Sequence, residues 1–209
     1  MTPTGELADA LLVVDLQLDF MPGGALGVAG GDEIVAPIAR LARGFATVVA
    51  TQDWHPAGHV SFASTHGRPA FAQRSADAPS ATLWPDHCVQ GSVGAALHPG
   101  LPDEVIDVVL RKGATRDVDS YSAFREDAAP DGSRASTGLA ELLRARGVER
   151  VFVCGLARDV CVAATAIDAS QAGFHVVVLD ALTRAVDPGA RASTDARLRA
   201  AGVEIEVES

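Results

Sequence analysis

The chain has 209 residues, a formal net charge of −10, and 48% hydrophobic and 21% charged residues. This length suits one globular domain with a sizeable buried core, so we expect a single domain over residues 1–209. The acidic balance argues against a broad nucleic-acid-binding surface, and the lack of a long apolar run argues against a membrane span.

The predicted elements alternate between strand and helix along the chain. Strands are expected at residues 10–15, 46–52, 105–112, 148–155, 175–180 and 203–207. Helices are expected at residues 32–43, 136–146, 160–172 and 189–201, the second of them capped by Ser136 or Thr137. The strands are runs of Val, Ile and Leu, which indicates burial on both faces. Linked through helices, they predict a three-layer α/β/α domain with a mostly parallel six-stranded sheet.

Two long segments, residues 53–99 and 113–135, interrupt this alternation. They are rich in polar residues, Gly and Pro, and they show no strong period. Long irregular segments of a compact domain commonly carry function. Because the first also contains two Trp and several His, we expect it to fold into a loop region that builds a site.

The three cysteines, Cys88, Cys154 and Cys161, are too few to form a disulfide framework. The N-terminus shows no basic start followed by an apolar stretch, so we expect no secretory signal. Both observations favour a cytoplasmic protein with free thiols. Cys154 lies within a predicted strand and is expected in the core, and Cys88 is expected to be structural.

Chemically active side chains follow four of the predicted strands. Asp15 ends the first strand, Asp53 and His55 follow the second, Lys112 ends the third, and Cys161 lies just past the fourth. Ligands of open α/β sheets bind beyond the carboxyl ends of the strands. The sequence therefore predicts a site at this edge.

Cys161 is the candidate nucleophile. With Asp159 as the N-cap, the thiol would lie in the first helical turn, where free N–H groups and the helix dipole lower a thiol pKa. The alternative is a small apolar residue that packs the helix on the sheet. Asp15 could accept the thiol proton, or it could be a helix cap or an ion-pair partner. Lys112 could hold Asp15 ionised, or it could be a lysine whose stem covers apolar surface.

A metal-type pattern lies in the first irregular segment. Residues i and i+2 of an extended segment point to one side, so Asp53 and His55 could bind one ion together. His87 could supply a third ligand, and His59 or Ser61 a further contact. Mixed histidine and carboxylate ligands suit zinc, iron or manganese. Polar loop residues without a metal are the alternative.

Longer motifs resemble the nicotinamidase branch of the isochorismatase-like cysteine hydrolase superfamily. They cover nearly the whole chain in the order typical of that family. The matching stretches are LLVVDLQLDF (11–20), ATQDWHPAGHVSFASTHG (50–67), LWPDHCVQGSVGAALHP (83–99), RKG (111–113), DSYSAF (119–124) and GLARDVC (155–161).

The resemblance implies an amidase that converts nicotinamide to nicotinic acid and ammonia, through a cysteine thioester, in NAD salvage. It implies a catalytic triad of Asp15, Lys112 and Cys161, and one divalent metal ion held by Asp53, His55 and His87. It implies a cis peptide before Ala157, whose N–H would form an oxyanion hole with that of Cys161. The positions that correspond to the substrate pocket are Phe20, Trp84, Tyr121 and Leu156.

Two residues depart from the family pattern. Leu18 replaces an asparagine, which removes an amide near the site. Arg158 replaces a threonine three residues before Cys161, where it could reach solvent or reshape the pocket mouth. These departures keep open a related cysteine amidase that acts on a different small amide. A hydrolase whose metal activates water and a non-enzymatic binding module are further alternatives, and a homo-oligomer is compatible with the apolar helix faces.

Overall fold

A computed structural model describes residues 8–75, 78–129 and 131–206, and its central feature is a six-stranded sheet. The strands are β1 (Asp9–Val14), β2 (Val48–Asp53), β3 (Gln73–Ser75), β4 (Ala78–Thr82), β5 (Val108–Lys112), β6 (Arg150–Leu156), β7 (His175–Arg184) and β8 (Glu204–Glu206). The α-helices are α1 (Val35–Ala42), α2 (Leu139–Ala145), α3 (Ala163–Gln171) and α4 (Arg191–Ala200). Short 3-10 helices span Leu18–Phe20, Ser64–His66, Asp103–Val105 and Pro188–Ala190, and a π-helical turn, Arg158–Val162, leads into α3.

The sheet confirms the predicted fold class. Its order is β5-β2-β1-β6-β7-β8, and all of these pairings are parallel. Parallel neighbours need crossovers, and each of the four helices supplies one, while the crossover from β2 to β5 runs through the irregular segment that follows β2. The four strands β5, β2, β1 and β6 are adjacent, so their carboxyl ends lie side by side at one edge.

Alternate residues of β1 pack into two separate cores. Leu11 and Val13 face one apolar cluster, while Leu12 and Val14 face the other, and all four are fully buried. Helix α1 covers the first face, and helices α2, α3 and α4 cover the second. A strand buried on both faces has no polar position, which is why its sequence is a continuous apolar run.

Two predicted helix caps are wrong. Helix α2 begins after Gly138, whose φ of 82° is left-handed and suits glycine, so neither Ser136 nor Thr137 is the N-cap. Asp159 lies inside the π-helical turn instead of capping it. Its carboxylate accepts hydrogen bonds from the N–H groups of Val186 and Asp187, both at 2.9 Å, and so ties the turn to the chain after β7.

The irregular segment 53–99 contains structure that the sequence did not predict. Strands β3 and β4 pair antiparallel within it. Isolated bridges join His55 to Val89 and Phe62 to Trp84, so the first part of the segment pairs with its last part. The predicted end of the last strand at residue 207, and the N-terminal residues 1–7, lie outside the described residues.

No helix within the described ranges combines the length and apolar character that crossing a membrane requires. The expectations about nucleic acid, cellular compartment and oligomeric state stay predictions.

Candidate active site

The structure brings Asp15, Lys112 and Cys161 into contact at the carboxyl edge of the sheet. Lys112 Nζ lies 2.8 Å from Asp15 Oδ2 and 3.4 Å from Cys161 Sγ. All three side chains are buried. Asp15 follows β1, Lys112 ends β5, and Cys161 follows β6 in the π-helical turn, so the parallel sheet itself sets their spacing.

Burial and mutual charge set the ionisation of this group. Burial and the charge of Asp53 raise the pKa of Asp15 to about 6, although Lys112 acts against them. Burial alone would lower the pKa of Lys112, but Asp15 and Asp53 outweigh burial and raise it, so the ammonium stays charged. A carboxylate with a pKa near neutrality is well suited to accept and return a proton.

The expectation that its position lowers the pKa of the Cys161 thiol is wrong for this structure. Burial raises that pKa well above its usual range, and Asp15 and Asp53 add to the effect, while Lys112 opposes it. The thiol is therefore protonated at rest. A thiolate forms only when the proton moves to a neighbouring base, and a sulfur atom and a carboxylate oxygen of Asp15 lie within 4.8 Å of each other.

Thr51 and Gln17 orient Asp15 and Asp53 through hydrogen bonds, and neither was predicted from the sequence. Thr51 Oγ1 donates to Asp15 Oδ1 at 2.6 Å and accepts from the Asp15 N–H at 3.0 Å. Gln17 Nε2 donates to the Asp53 carbonyl at 2.9 Å, and Gln17 Oε1 accepts from the Asp53 N–H at 2.7 Å. Thr51 lies two residues before Asp53 in a buried strand, and that spacing was the one available signal.

Asp53, His55 and His87 form a second cluster, with one ligand-type atom from each within 4.8 Å of the others. His55 Nδ1 hydrogen-bonds the Gly113 carbonyl at 2.9 Å, and His87 Nδ1 hydrogen-bonds the Pro85 carbonyl at 2.7 Å. A carbonyl only accepts, so Nδ1 carries the proton in both rings. In a neutral ring Nε2 is then left with a lone pair, and it faces Asp53 in both cases.

This donor set fits a divalent metal ion. Two imidazole nitrogens and one carboxylate oxygen converge, each side chain is buried, and backbone carbonyls orient both rings. Burial, with the charge of His55, lowers the pKa of His87 to about 4, so this ring is neutral and able to act as a ligand near pH 7. Asp53 also contacts Lys112 Nζ, which links the cluster to the candidate triad.

His59 and Ser61 lie beside the cluster in different ways. His59 hydrogen-bonds Ser61 Oγ through Nδ1 at 2.7 Å and the Val118 carbonyl through Nε2 at 3.1 Å, and its ring stacks on His55 at 4.3 Å. Both of its nitrogens are therefore engaged away from the cluster. Ser61 lines the same pocket as Asp53 and His55.

A pocket lies between Cys161 and the metal-type cluster, and residues of both groups line it. Among its walls are Phe20, Trp84 and Tyr121, as the resemblance implies. Leu156 does not line it and lies fully buried in the core. The lining also includes residues that the sequence analysis did not single out, namely Leu26, Asp119, Ser120, Val160 and Val186.

Hydrogen bonds lock one wall of this pocket. Trp84 Nε1 donates to the Tyr121 hydroxyl, and that hydroxyl donates to Asp119 Oδ2, both at 3.0 Å. Asp119 Oδ1 accepts from the Ser120 N–H at 2.9 Å. Asp119 thus fixes the orientation of both aromatic rings.

The strand-to-helix turn after β6 presents backbone to the pocket. The Leu156–Ala157 peptide bond is cis, as the resemblance implies. Ala157 and Cys161 both line the pocket. Their N–H groups are the candidate donors for a negatively charged oxygen.

Arg158 neither reaches solvent nor enters the pocket. Its side chain is buried, and the guanidinium lies 2.7 Å from Asp180 Oδ1 and 2.6 Å from Asp195 Oδ1, with Thr183 Oγ1 at 3.1 Å. A buried cation needs carboxylate partners, and these lie on β7 and α4, away from the pocket. Leu18 is half-buried outside the pocket lining, in the 3-10 helix that carries Phe20.

Comparison with known proteins identifies the family. Residues 9–206 match the isochorismatase domain family. The nicotinamidase of Acinetobacter baylyi is 48% identical over 179 residues, which cover 85% of this chain and 82% of that protein.

Solved structures share the fold. PnC1 from L. infantum, in complex with nicotinate, matches with a TM-score of 0.83 and 47% identity over 96% of this chain and 93% of that one. The pyrazinamidase of Pyrococcus horikoshii, in complex with zinc, matches with a TM-score of 0.76 and 35% identity over 96% of this chain and 99% of that one. The sequence, the site and these similarities agree: the chain belongs to the isochorismatase domain family and, within it, to the nicotinamidase group of amide hydrolases.

Proposed function

We propose that this protein hydrolyses nicotinamide to nicotinic acid and ammonia, with Cys161 as the nucleophile, and so serves NAD salvage. The observation that carries the proposal is the contact of Asp15, Lys112 and Cys161 at the base of an aromatic-walled pocket, beside a metal-type cluster. The similarity to a nicotinamidase over most of the chain supports the choice of substrate.

The first step is activation of the thiol. Asp15 takes the proton of Cys161, and the thiolate attacks the carboxamide carbon. Lys112 stays protonated and stabilises the negative charge that passes between Asp15 and Cys161. Because burial raises the pKa of both the thiol and Asp15, the proton moves between two groups that are each reluctant to carry charge.

The second step is release of ammonia. The N–H groups of Ala157 and Cys161 stabilise the oxyanion of the tetrahedral intermediate. Asp15 returns its proton to the departing nitrogen, the C–N bond breaks, and a thioester to Cys161 remains. A water molecule that gives a proton to Asp15 then hydrolyses the thioester, and the sulfur regains that proton.

Asp53, His55 and His87 would hold one divalent metal ion, which we propose is zinc, with iron and manganese as the other ions that this donor set accepts. When bound, the ion would act as a Lewis acid that could accept the lone pair of a ring nitrogen of the substrate. The zinc complex of the pyrazinamidase of Pyrococcus horikoshii supports this choice. Phe20, Trp84 and Tyr121 form walls for a flat heteroaromatic ring.

The test is ammonia release from nicotinamide by the wild type and by Cys161→Ala. We expect turnover in the wild type and none in the variant, with metal content unchanged. Cys154→Ala is the matched control, because Cys154 is equally buried but lies in strand β6 outside the pocket lining. Ammonia release by Cys161→Ala would exclude the covalent route and favour a hydrolase whose metal activates water.

A related amidase acting on a different small amide is the closest alternative. A panel of nicotinamide, pyrazinecarboxamide and carbamoyl compounds separates the two, since the highest kcat/KM should belong to a pyridine amide. Binding of these compounds without turnover by metal-loaded wild type would instead favour a binding module.

A further inference from the structure

The π-helical turn after β6, Arg158–Val162, carries the candidate nucleophile, and it begins directly after Ala157. The N–H groups of Ala157 and Cys161 are the two candidate donors to a negatively charged oxygen. The first N–H groups of a helical segment have no partner within that segment, so its own backbone hydrogen bonds do not fix them. The placement of both donors therefore depends on what the side chains of the turn contact.

The Arg158 side chain joins this turn to strand β7 and helix α4. Its Nη1 lies 2.7 Å from Asp180 Oδ1 and 3.1 Å from Thr183 Oγ1, and its Nη2 lies 2.6 Å from Asp195 Oδ1. Only 4% of the side chain is exposed. A planar guanidinium held by acceptors in a buried setting keeps one orientation. The first residue of the turn is thus fixed against two elements that contribute no residue to the pocket lining.

The carboxylates that bind Arg158 are themselves held. Asp180 Oδ2 lies 2.7 Å from Arg191 Nη2, and Asp195 Oδ2 lies 3.7 Å from Arg199 Nη2. Each carboxylate therefore uses one oxygen for Arg158 and the other for a second arginine. Such a network restrains its members more than a single exposed ion pair does, because moving one member breaks the contacts of the others.

Asp159, the next residue, ties the turn to the pocket wall. Its Oδ1 accepts a hydrogen bond from the Val186 N–H and its Oδ2 accepts one from the Asp187 N–H, both at 2.9 Å. Val186 lines the pocket together with Cys161. The turn is thus anchored at two consecutive side chains, with Asp159 directed to the pocket wall and Arg158 directed to β7 and α4.

We propose that Arg158 is a positioning residue: through its buried contacts with Asp180 and Asp195 it holds the N–H groups of Ala157 and Cys161 where the oxyanion forms. The inference rests on the proposed function. Donors stabilise a transition state when they already point to the developing charge, and a misplacement of about 1 Å can cost about 100-fold in rate. Because this charge develops after nicotinamide has bound, Arg158 should affect the rate of the reaction and not the affinity for the amide.

The experiment compares Arg158→Met with the wild type at a temperature well below the unfolding transition of both. We expect kcat and kcat/KM for nicotinamide to fall together by about 10–100-fold, the pattern of an interaction made only in the transition state. The dissociation constant of nicotinamide, measured by calorimetry in a Cys161→Ala background to prevent turnover, should change by less than about threefold. A network that only stabilises the fold would alter neither quantity.

Pyridine-3-carbaldehyde supplies a readout that does not depend on turnover. The Cys161 thiol adds to its carbonyl group: the S–C bond forms, the C=O π bond opens, and the thiol proton passes to the oxygen, directly or through Asp15. The new tetrahedral oxygen takes the place of the oxyanion of the amide reaction. The dissociation constant of this adduct should therefore rise in Arg158→Met by a factor similar to the loss of kcat/KM.

Arg150→Met is the matched control. Arg150 begins β6, at the strand end opposite the turn, and donates to both carboxylate oxygens of the buried Asp9 at 2.9 and 2.6 Å. This variant should lower the urea midpoint but change kcat/KM and the aldehyde constant by less than about twofold, because no transition-state contact is lost. Arg158→Lys keeps the charge without the fork that reaches both carboxylates, so both losses should be smaller than in Arg158→Met and stay in the same proportion.

Two results would overturn the proposal. The first is an unchanged kcat/KM in Arg158→Met together with a lowered urea midpoint, which would leave the network a purely stabilising role. The second is a loss of nicotinamide affinity as large as the loss of kcat/KM, which would show that the whole pocket is displaced. A wild type that releases no ammonia from nicotinamide would instead refute the proposed function, and the aldehyde constants of the two proteins would still report on the donors.

Discussion

Thr51→Val removes the hydroxyl that donates a hydrogen bond to Asp15, the candidate base. It should shift the acidic limb of the pH–activity profile. Asp15 must be ionised to accept the Cys161 proton, so activity is lost as the pH falls through its pKa. That pKa is about 6 in this structure, and a metal ion at Asp53 would remove one of the charges that raise it. We therefore expect the wild-type limb at or below about pH 6.

The size of the shift follows from the bond that is lost. Thr51 Oγ1 donates to Asp15 Oδ1 at 2.6 Å in a fully buried setting. A hydrogen bond to a charged group contributes about 1.5–3 kcal/mol, and one pKa unit is about 1.4 kcal/mol, so the pKa of Asp15 should rise by about 1–2 units. The limb should therefore move toward neutral pH.

The assay is kcat/KM for nicotinamide as a function of pH. Thr165→Val is the matched control, because Thr165 is equally buried and its Oγ1 accepts from the Ala123 N–H, but it touches no catalytic carboxylate. Both variants leave a backbone N–H without its acceptor and should lose about 1–3 kcal/mol of stability. Only Thr51→Val should shift the limb, and equal limbs in both variants would refute the assignment of Asp15 as the base.

Two further substitutions test the metal-type cluster and the buried arginine. Gly113→Ala should lower bound metal, because its Cβ would lie 2.6 Å from His55 Nδ1 and displace the ring, whereas Gly67→Ala has the same left-handed backbone with nothing within 4 Å. Equal metal content in both variants, measured by elemental analysis, would contradict this. Arg158→Met should cost about 1.5–3 kcal/mol of unfolding free energy, because it removes the hydrogen bonds of a buried guanidinium to Asp180 and Asp195, which then retain only Arg191 and Arg199. The exposed pair of Arg43 predicts less than about 1 kcal/mol for Arg43→Met. Equal urea midpoints would show that the Arg158 network contributes nothing.

The fold could be predicted because its signals are local. Buried parallel strands need continuous apolar runs, and the runs at β1, β2 and β6 stand out between helical segments and glycines. The positions of the predicted strand ends indicated that Asp15, Lys112 and Cys161 are neighbours, and the structure brings them together. The antiparallel pairing of β3 with β4 was not predicted because its segment has no strong alternation of apolar and polar residues.

Other features depend on contacts between distant parts of the chain. Thr51 meets Asp15 across 36 residues, and Arg158 meets Asp195 across 37. Apart from the spacing of Thr51 to Asp53, no local pattern indicates such partners. The position of the Arg158 side chain could therefore not be predicted from sequence. In the structure this side chain pairs with carboxylates and lies neither in solvent nor in the pocket.

The sequence by itself determined the α/β architecture and the side chains that gather at one sheet edge, because hydrophobic periodicity and the residues at the strand ends can be read directly from the chain. The tertiary structure alone decided how those side chains ionise and which polar groups stay unpaired. Burial raises the pKa of Cys161 where its position in the chain suggested a lower one, and it leaves the Ser120 hydroxyl without a partner among the described residues. Both outcomes arise from desolvation, which depends on every element packed around a group and not on its neighbours in sequence.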